Sequence, residues 1–273
     1  VDVVGIVDQL GEGVSSPEPG RRVAALLAHS GGYAEAVCLP AESAVVVPAD
    51  VDAAKAVSLV ANYLTAYSML HRAARVEAGE RILVQGAAGG VGTALLELGR
   101  LAGLEMYGTA SPQHHELVTA LGATPIDYRH DDFGRRIRQL TDDGVDAVFD
   151  PIGGARQLWR SYRALRRGGR LVWFGVAGSK QRGVGVIPAS LATRLLLSLL
   201  PDGKKAPMPP DSGKPSAWYR QNLALLLDWL AAGRLKPLVA ARIPLVEAAH
   251  AHELLERGGH TGKVVLIAGE QAT

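Results

Sequence analysis

The stretch Arg81-Ile-Leu-Val-Gln-Gly-Ala-Ala-Gly-Gly-Val-Gly-Thr93 constrains this chain more than any other. A short apolar run meets a cluster of glycines, and a helical pattern from Ala94 to Leu101 follows. The pattern predicts a strand, a tight turn and a helix start. Such a junction aims backbone N–H groups and the positive end of a helix dipole at one point, a geometry suited to the pyrophosphate of a dinucleotide. Gly86 permits the turn, Gly89 or Gly90 lets phosphate approach the backbone, and Gly92 lets the helix lie close on its strand. Ala88 and Val91 complete the loop. A glycine turn with no ligand is the alternative, and the surrounding pattern decides between the two.

That pattern alternates strand and helix. Strands are predicted over Leu104 to Thr109, Thr124 to Asp127, Val145 to Asp150 and Arg170 to Gly175. Helices are predicted over Pro112 to Leu121, Phe133 to Leu140 and Ala155 to Arg166. Repeated βα units with apolar strands imply a parallel sheet covered on both faces. Gly103, Gly122, Gly144 and Gly168-Gly169 punctuate the helix-to-strand passages as C-cap glycines do. The fold class is therefore α/β, a doubly wound Rossmann sheet, and the dinucleotide reading of the glycine loop is preferred.

Composition removes several alternatives. The chain has 273 residues, 48% of them hydrophobic, enough for one large core or two ordinary ones. With 29 basic and 27 acidic residues spread along it, the formal net charge is +2 and no nucleic-acid stripe is present. A single cysteine, Cys38, cannot build a disulfide framework or a multi-cysteine zinc site, and an intracellular, cytoplasmic chain is expected. In an apolar strand, Cys38 reads as a small buried hydrophobe. No run reaches the roughly 20 apolar residues of a membrane helix.

Outside the βα units, short strands are predicted at Val1 to Val7, Arg22 to Leu27, Tyr33 to Leu39, Ala44 to Val47 and Lys263 to Ile267, which suggests part of an antiparallel barrel. A helix is predicted from Leu245 to Arg257. Asp202 to Ser216, rich in Pro, Gly and Lys, reads as a surface loop.

Cofactor choice is read from the end of the second βα strand. An Asp or Glu there accepts from the ribose 2′-OH of NAD and repels a 2′-phosphate. This strand ends Gly108-Thr109-Ala110-Ser111, with no acid before Glu116. Ser111 can donate to a phosphate, and His114 or His115 stands nearby, although an exposed helix start explains His115 equally well. Gly153, Phe174 and Gly175 follow strand ends at the carboxyl edge of the sheet, where cofactors bind in such folds. Asn62 and Tyr63 read as a helix start that lines a pocket, with capping and packing as the plain alternatives. His252-Glu253-Leu-Leu-Glu256 lacks the second histidine of a zinc protease helix, and no Gly-x-Ser-x-Gly elbow occurs. No metal site and no catalytic proton donor are assigned.

The succession Gly32-Tyr-Ala-Glu35, Asn62-Tyr-Leu-Thr-Ala-Tyr67, Ala87-Ala-Gly-Gly-Val-Gly92, Asp150-Pro-Ile-Gly-Gly154 and Thr261-Gly-Lys-Val-Val-Leu266 resembles the zinc-independent quinone oxidoreductase branch of the medium-chain dehydrogenase/reductases. It leans toward the homologues of the vesicle amine transport protein. The resemblance spans essentially the whole chain. It implies a partial small-chaperonin-like β-barrel, the catalytic domain, over 1–61 and 236–273, with a Rossmann domain over 62–235 that holds NADP(H). It implies that Thr65 lies beside the nicotinamide, that Tyr128 lies near the 2′-phosphate and that Lys263 belongs to the cofactor-binding set. It also implies hydride transfer without zinc to a small-molecule quinone or α,β-unsaturated carbonyl, and a homodimer to whose sheet Gly183 to Ile187 contribute. Some crystallin-like relatives bind RNA, but the near-neutral charge gives that role no support, and with no long apolar run neither a nucleic-acid nor a membrane partner is expected. Relatives carry several dozen further residues ahead of the segment resembling Val1 to Val7, so a fragment, or a short form completed by another chain, is expected. The alternatives are a discrete enoyl-thioester reductase of fatty-acid or polyketide metabolism and a truncated cofactor-binding protein without turnover. Against the first, Ala155-Arg-Gln157 and Val176-Ala-Gly178 lack the lysine and aspartate of synthase enoyl reductases.

Overall fold

The computed structural model describes residues 2–27, 31–176, 185–208 and 216–269. Along the chain come β1 (Asp2–Ile6), β2 (Arg22–Leu26), β3 (Val45–Val46), α1 (Ala53–Ser58), a π-helical turn (Leu59–Tyr63), α2 (Leu64–Ser68) and a second π-helical turn (Met69–Ala74). Then follow β4 (Arg81–Val84), α3 (Gly90–Leu101), β5 (Glu105–Ala110), α4 (His115–Ala120), β6 (Ala123–Asp127), α5 (Phe133–Thr141), β7 (Val145–Asp150), α6 (Ala155–Arg163) and β8 (Leu165–Trp173). The remainder is α7 (Val186–Ser198), α8 (Ala217–Ala231), β9 (Val239–Pro244), α9 (Ala248–Arg257) and β10 (Lys263–Ile267).

These elements form two compact units, one of Val1–Thr65, Gly89–Val91 and Asp211–Thr273, the other of Ala66–Ala88 and Gly92–Pro210. α8, inside the 62–235 span expected for the Rossmann domain, belongs to the first.

The second unit is built on a five-stranded parallel sheet in the order β6-β5-β4-β7-β8. β4 sits at the centre, and the chain winds outward from it in both directions, the half-Rossmann pattern expected from the alternating sequence. Ile82, Leu83 and Val84 of β4 and Ala147, Val148 and Phe149 of β7 are fully buried, because helices cover both faces. Local signals set several helix starts. Asp132 caps α5 by accepting from the Arg135 N–H at 3.1 Å, and Pro112 opens the turn before α4. The strand expected at Arg170 begins earlier, at Leu165, which pairs with Val145 of β7, and α6 stops at Arg163; the Arg166 guanidinium reaches Asp146 near the start of β7.

Two further expectations change here. Gly183 to Ile187 does not supply a strand in its described part: Gly185 is a turn, α7 starts at Val186, and residues 183 and 184 lie outside the described residues. The Pro-Gly-Lys segment is not simply a loop. Lys205 pairs with the outer edge of β8, its N–H donating to the Gly169 carbonyl at 2.9 Å and its carbonyl accepting from Leu171 at 2.8 Å. Residues 209–215 of that segment lie outside the described residues.

The first unit holds an antiparallel sheet, β1-β2-β3, and a parallel pair, β9 and β10. Asp52 caps α1 by accepting from the Lys55 N–H at 2.8 Å, so the helix starts at Ala53 and Asn62 is neither a helix start nor a cap. Tyr33 to Leu39 forms no strand, only a bend and irregular chain. Cys38 is accordingly exposed rather than buried.

Candidate cofactor-binding site

In the second unit the glycine loop leaves β4 beside the ends of β5 and β7. The Gln85 N–H still donates to the Phe149 carbonyl at 3.0 Å, and the Ala87 N–H donates to the Thr109 carbonyl at 3.0 Å. Gly86 then turns with a φ of 65°. Gly92 does what its place in the pattern requires: a Cβ there would stand 2.2 Å from the Gly86 carbonyl oxygen and 2.9 Å from Ala87. The first turn of α3 is thus pressed against the end of its own strand, with the positive end of its dipole at the carboxyl edge of the sheet. Ala88 is buried in the same turn.

A chain of buried polar groups underlies this edge. Thr109 accepts from the Gly86 N–H at 3.1 Å and donates to Gln85 at 3.2 Å, and the Gln85 amide donates to Ser161 at 3.1 Å. Ser161 in turn donates to Asp150 at 2.6 Å, whose other oxygen accepts from the N–H groups of Ile152 at 2.7 Å and Gly153 at 3.1 Å. Burial pushes the Asp150 carboxyl above its ordinary value, and the hydrogen bonds from Ser161, Ile152 and Gly153 oppose that shift. The carboxylate holds the turn that presents Gly153 and Gly154. The Gly154 N–H donates to Ser190 of α7 at 2.7 Å, and the Phe174 N–H to the Asp150 carbonyl at 3.0 Å. Phe174 and Gly175 are half-buried just beyond β8, where the Trp173 indole N–H donates to the Gly175 carbonyl.

The residues read as a 2′-phosphate set lie on two adjacent strand ends. Ala110 pairs with Asp127, so Ser111 and Tyr128 are the next residues on neighbouring strands. Ser111 is buried, and its side chain does not cap the turn that follows it. His115 places Nε2 3.3 Å from the Ala110 carbonyl, and Tyr128 is half exposed. The carboxylate the sequence reading did not weigh is Asp127. His130 lies 2.6 Å from it, and the hydrogen bond from His130, then that from the Arg129 N–H at 2.9 Å, hold its carboxyl below the ordinary value. Its oxygens are thus engaged by two donors of its own loop.

In the first unit Asn62 lies in the π-helical turn, Tyr63 is buried beside it, and Thr65 is half-buried on α2. Gly89 and Gly262 form a parallel bridge, and Gly90 and Val91 start α3. The Lys263 ammonium is paired with Asp2, so it is already neutralised within this unit.

Gln85, Thr109 and Ser161 went unread in the sequence. The signal for Gln85 was a polar residue ending an apolar strand run, but its partners stand 24 and 76 residues away. Among the described residues no group of three or more His, Cys, Asp or Glu side chains converges as a metal site.

A central strand, a glycine turn and a helix pressed onto it, within a 3-2-1-4-5 parallel sheet, define a Rossmann-type α/β protein. The family described as zinc-binding dehydrogenase matches residues 121–266. The quinone oxidoreductase of Rattus norvegicus is 30% identical over 270 residues, covering 97% of this chain and 78% of the rat protein. The synaptic vesicle membrane protein VAT-1 homolog of the same species is 38% identical over 175 residues, 63% of this chain and 43% of that protein. A mycobacterial protein solved in complex with NADPH has a TM-score of 0.83 and 29% identity, covering 97% of this chain and 81% of that one. The chain belongs to the zinc-binding dehydrogenase family, in the quinone oxidoreductase branch of the medium-chain dehydrogenase/reductase superfamily. It is an oxidoreductase of the kind that works with a nicotinamide cofactor.

Proposed function

We propose that this chain binds NADP(H) at the glycine loop and reduces a small quinone or α,β-unsaturated carbonyl compound without zinc. The observation that carries the cofactor choice is Ser111, buried at the end of β5 with no carboxylate on that strand end. When bound, the cofactor supplies the hydride. The chain's own groups grip and orient: Gly86, Gly92 and the first turn of α3 face the pyrophosphate, while Ser111, His115 and Tyr128 face the 2′-phosphate. The relative solved with NADPH supports this choice, and the rat quinone oxidoreductase supports the substrate class. Fluorescence titration with NADPH and NADH, followed by addition of a quinone, tests both parts. Tighter binding of NADPH and its oxidation by the quinone are expected. Equal affinity for the two cofactors overturns the selectivity, and failure of the quinone to consume NADPH overturns the substrate class. Ser111→Asp is expected to weaken NADPH tenfold or more, since two like charges a few ångströms apart repel by at least about 1 kcal/mol even in water, the Ser111 hydrogen bond to the phosphate, worth about 1 kcal/mol, is lost as well, and roughly 1.4 kcal/mol is one decade. NADH affinity should hold or improve.

The partner in this reading is a second copy, joined through α7. Ile187, Leu191 and Leu195 of α7 and Leu199 at its C-cap repeat every four residues, and Leu195 and Leu199 are 57% and 72% exposed. An apolar stripe of this kind is characteristic of a protein–protein interface. Sedimentation should give a dimer that Leu195→Glu with Leu199→Glu converts to a monomer. A wild-type monomer at micromolar concentration would count against it.

A further inference from the structure

We propose that Asn62 is a positioning residue for the cofactor, acting through Gly90 rather than by touching nicotinamide or substrate. The proposal rests on the dinucleotide reading of the glycine loop and concerns residues of the first unit alone. The helix that begins under the Asp52 cap does not run on regularly. At Leu59–Tyr63 it widens into a π turn, and such turns, which sacrifice helix regularity, are frequent at functional sites. Leu59, Val60 and Tyr63 in that turn are buried and apolar or aromatic, and Asn62 is its polar member. Its carboxamide is set against the glycine loop. A Cβ built on Gly90 would lie 2.5 Å from Asn62 Nδ2 and 3.3 Å from its Cγ, with the Gly262 carbonyl oxygen at 3.5 Å.

The other wall of this slot is backbone with little room to move. Gly262 has a φ of 85°, and a Cβ there would fall 2.2 Å from the Leu238 carbonyl oxygen. The next residue, Lys263, donates its N–H to that same carbonyl at 2.9 Å, and Gly89 is bridged to Gly262. Gly90 is the first residue of α3, so whatever fixes Gly90 fixes the direction in which the helix start faces a phosphate. The nearest neighbours of Gly90 in this slot are thus one main-chain carbonyl and the Asn62 carboxamide. Asn62 therefore sets how far the loop can drift.

A double-mutant cycle on NADPH affinity tests this, with melting temperature read alongside. Asn62→Ala opens the slot and is expected to raise the NADPH Kd about tenfold, with kcat at saturating NADPH nearly unchanged. Gly90→Ala drives a methyl group into the carboxamide and is expected to raise Kd by at least as much. In the double variant the methyl takes the space the carboxamide left, so Kd should be lower than for Gly90→Ala alone. Additive losses overturn the proposal, as does a fall in kcat with Kd unchanged in Asn62→Ala, which would put Asn62 at the reacting groups. If Gly90→Ala does not fold, Asn62→Gln replaces it. One methylene longer, it pushes on Gly90 and should raise Kd with little change in kcat, and an unchanged Kd overturns the proposal. A wild-type chain that binds no NADPH overturns the dinucleotide reading and this inference together, whereas normal NADPH binding with an additive cycle overturns only the inference.

Discussion

One chain of polar groups in the second unit closes on itself out of reach of water, whereas several side-chain pairs that tie the first unit together lie at its surface. Thr109, Gln85, Ser161 and Asp150 are each at most 2% exposed and hand hydrogen bonds from one to the next. In the first unit Arg242 reaches Asp52 at 2.9 Å and Tyr33 reaches His252 at 3.2 Å, both in solvent, while Asp2 and Lys263 make a more enclosed pair. A hydrogen bond in water is replaceable by water, but a buried group that loses its partner bears the whole desolvation penalty. Losing a member of the buried chain should therefore be severe, and losing one of the exposed pairs mild.

Asp150→Ala is the strongest way to break that contrast. It leaves two backbone N–H groups and the Ser161 hydroxyl without their acceptor, at about 1–3 kcal/mol each before relaxation, so a loss of about 4 kcal/mol is expected in denaturant unfolding. Gly92→Val comes next. A side chain against the Gly86 carbonyl should cost about 3 kcal/mol and abolish NADPH binding, as read by melting temperature and titration. Asp52→Ala, which removes the α1 cap and an exposed ion pair, should cost only about 1 kcal/mol. If it costs as much as Asp150→Ala, the contrast fails.

The smallest effect sharpens the comparison through pH. Asp127 lies at the surface end of β6, and its carboxyl is held low by His130 and the Arg129 N–H. A depressed carboxyl stabilises the fold above its unfolded-state value and loses that contribution as pH falls through the folded value. Melting curves of wild type and Asp127→Asn should therefore differ at pH 6 and converge toward pH 3. A constant difference would mean that Asp127 acts through shape alone.

What was legible in the sequence follows the same division. β4, the glycine turn and α3 were readable because their apolar run, glycines and helical period are contiguous, and the strand from Val145 to Asp150 has the boundaries its pattern predicts. The Asp150 chain was not readable as a chain, since its members come from two strands, a strand end and a helix far apart in sequence. Tyr33 to Leu39 carries strand-like residues, yet it stays irregular, because strand formation depends on pairing and packing with distant residues that local pattern does not report. The π turn around Asn62 differs from an α-helix by one residue in its hydrogen-bond spacing, and no composition signals that. α7 was not read from the sequence: Gly183 to Ile187 were expected in a dimer sheet on the strength of the resemblance, and a helix instead starts at Val186.

The line from Thr109 through Gln85 and Ser161 to Asp150 runs across the strands rather than along them. It laces the carboxyl ends of β5, β4 and β7 into one crossbar, so these ends share a single fluctuation instead of fraying one by one. Amide exchange at Gly86, Ala87, Ile152 and Gly153 should then follow a common opening event, and loosening any link would be felt at all four. A ligand lying across that rim would meet a surface that yields as a plate, with the compliance left to the turns beyond it.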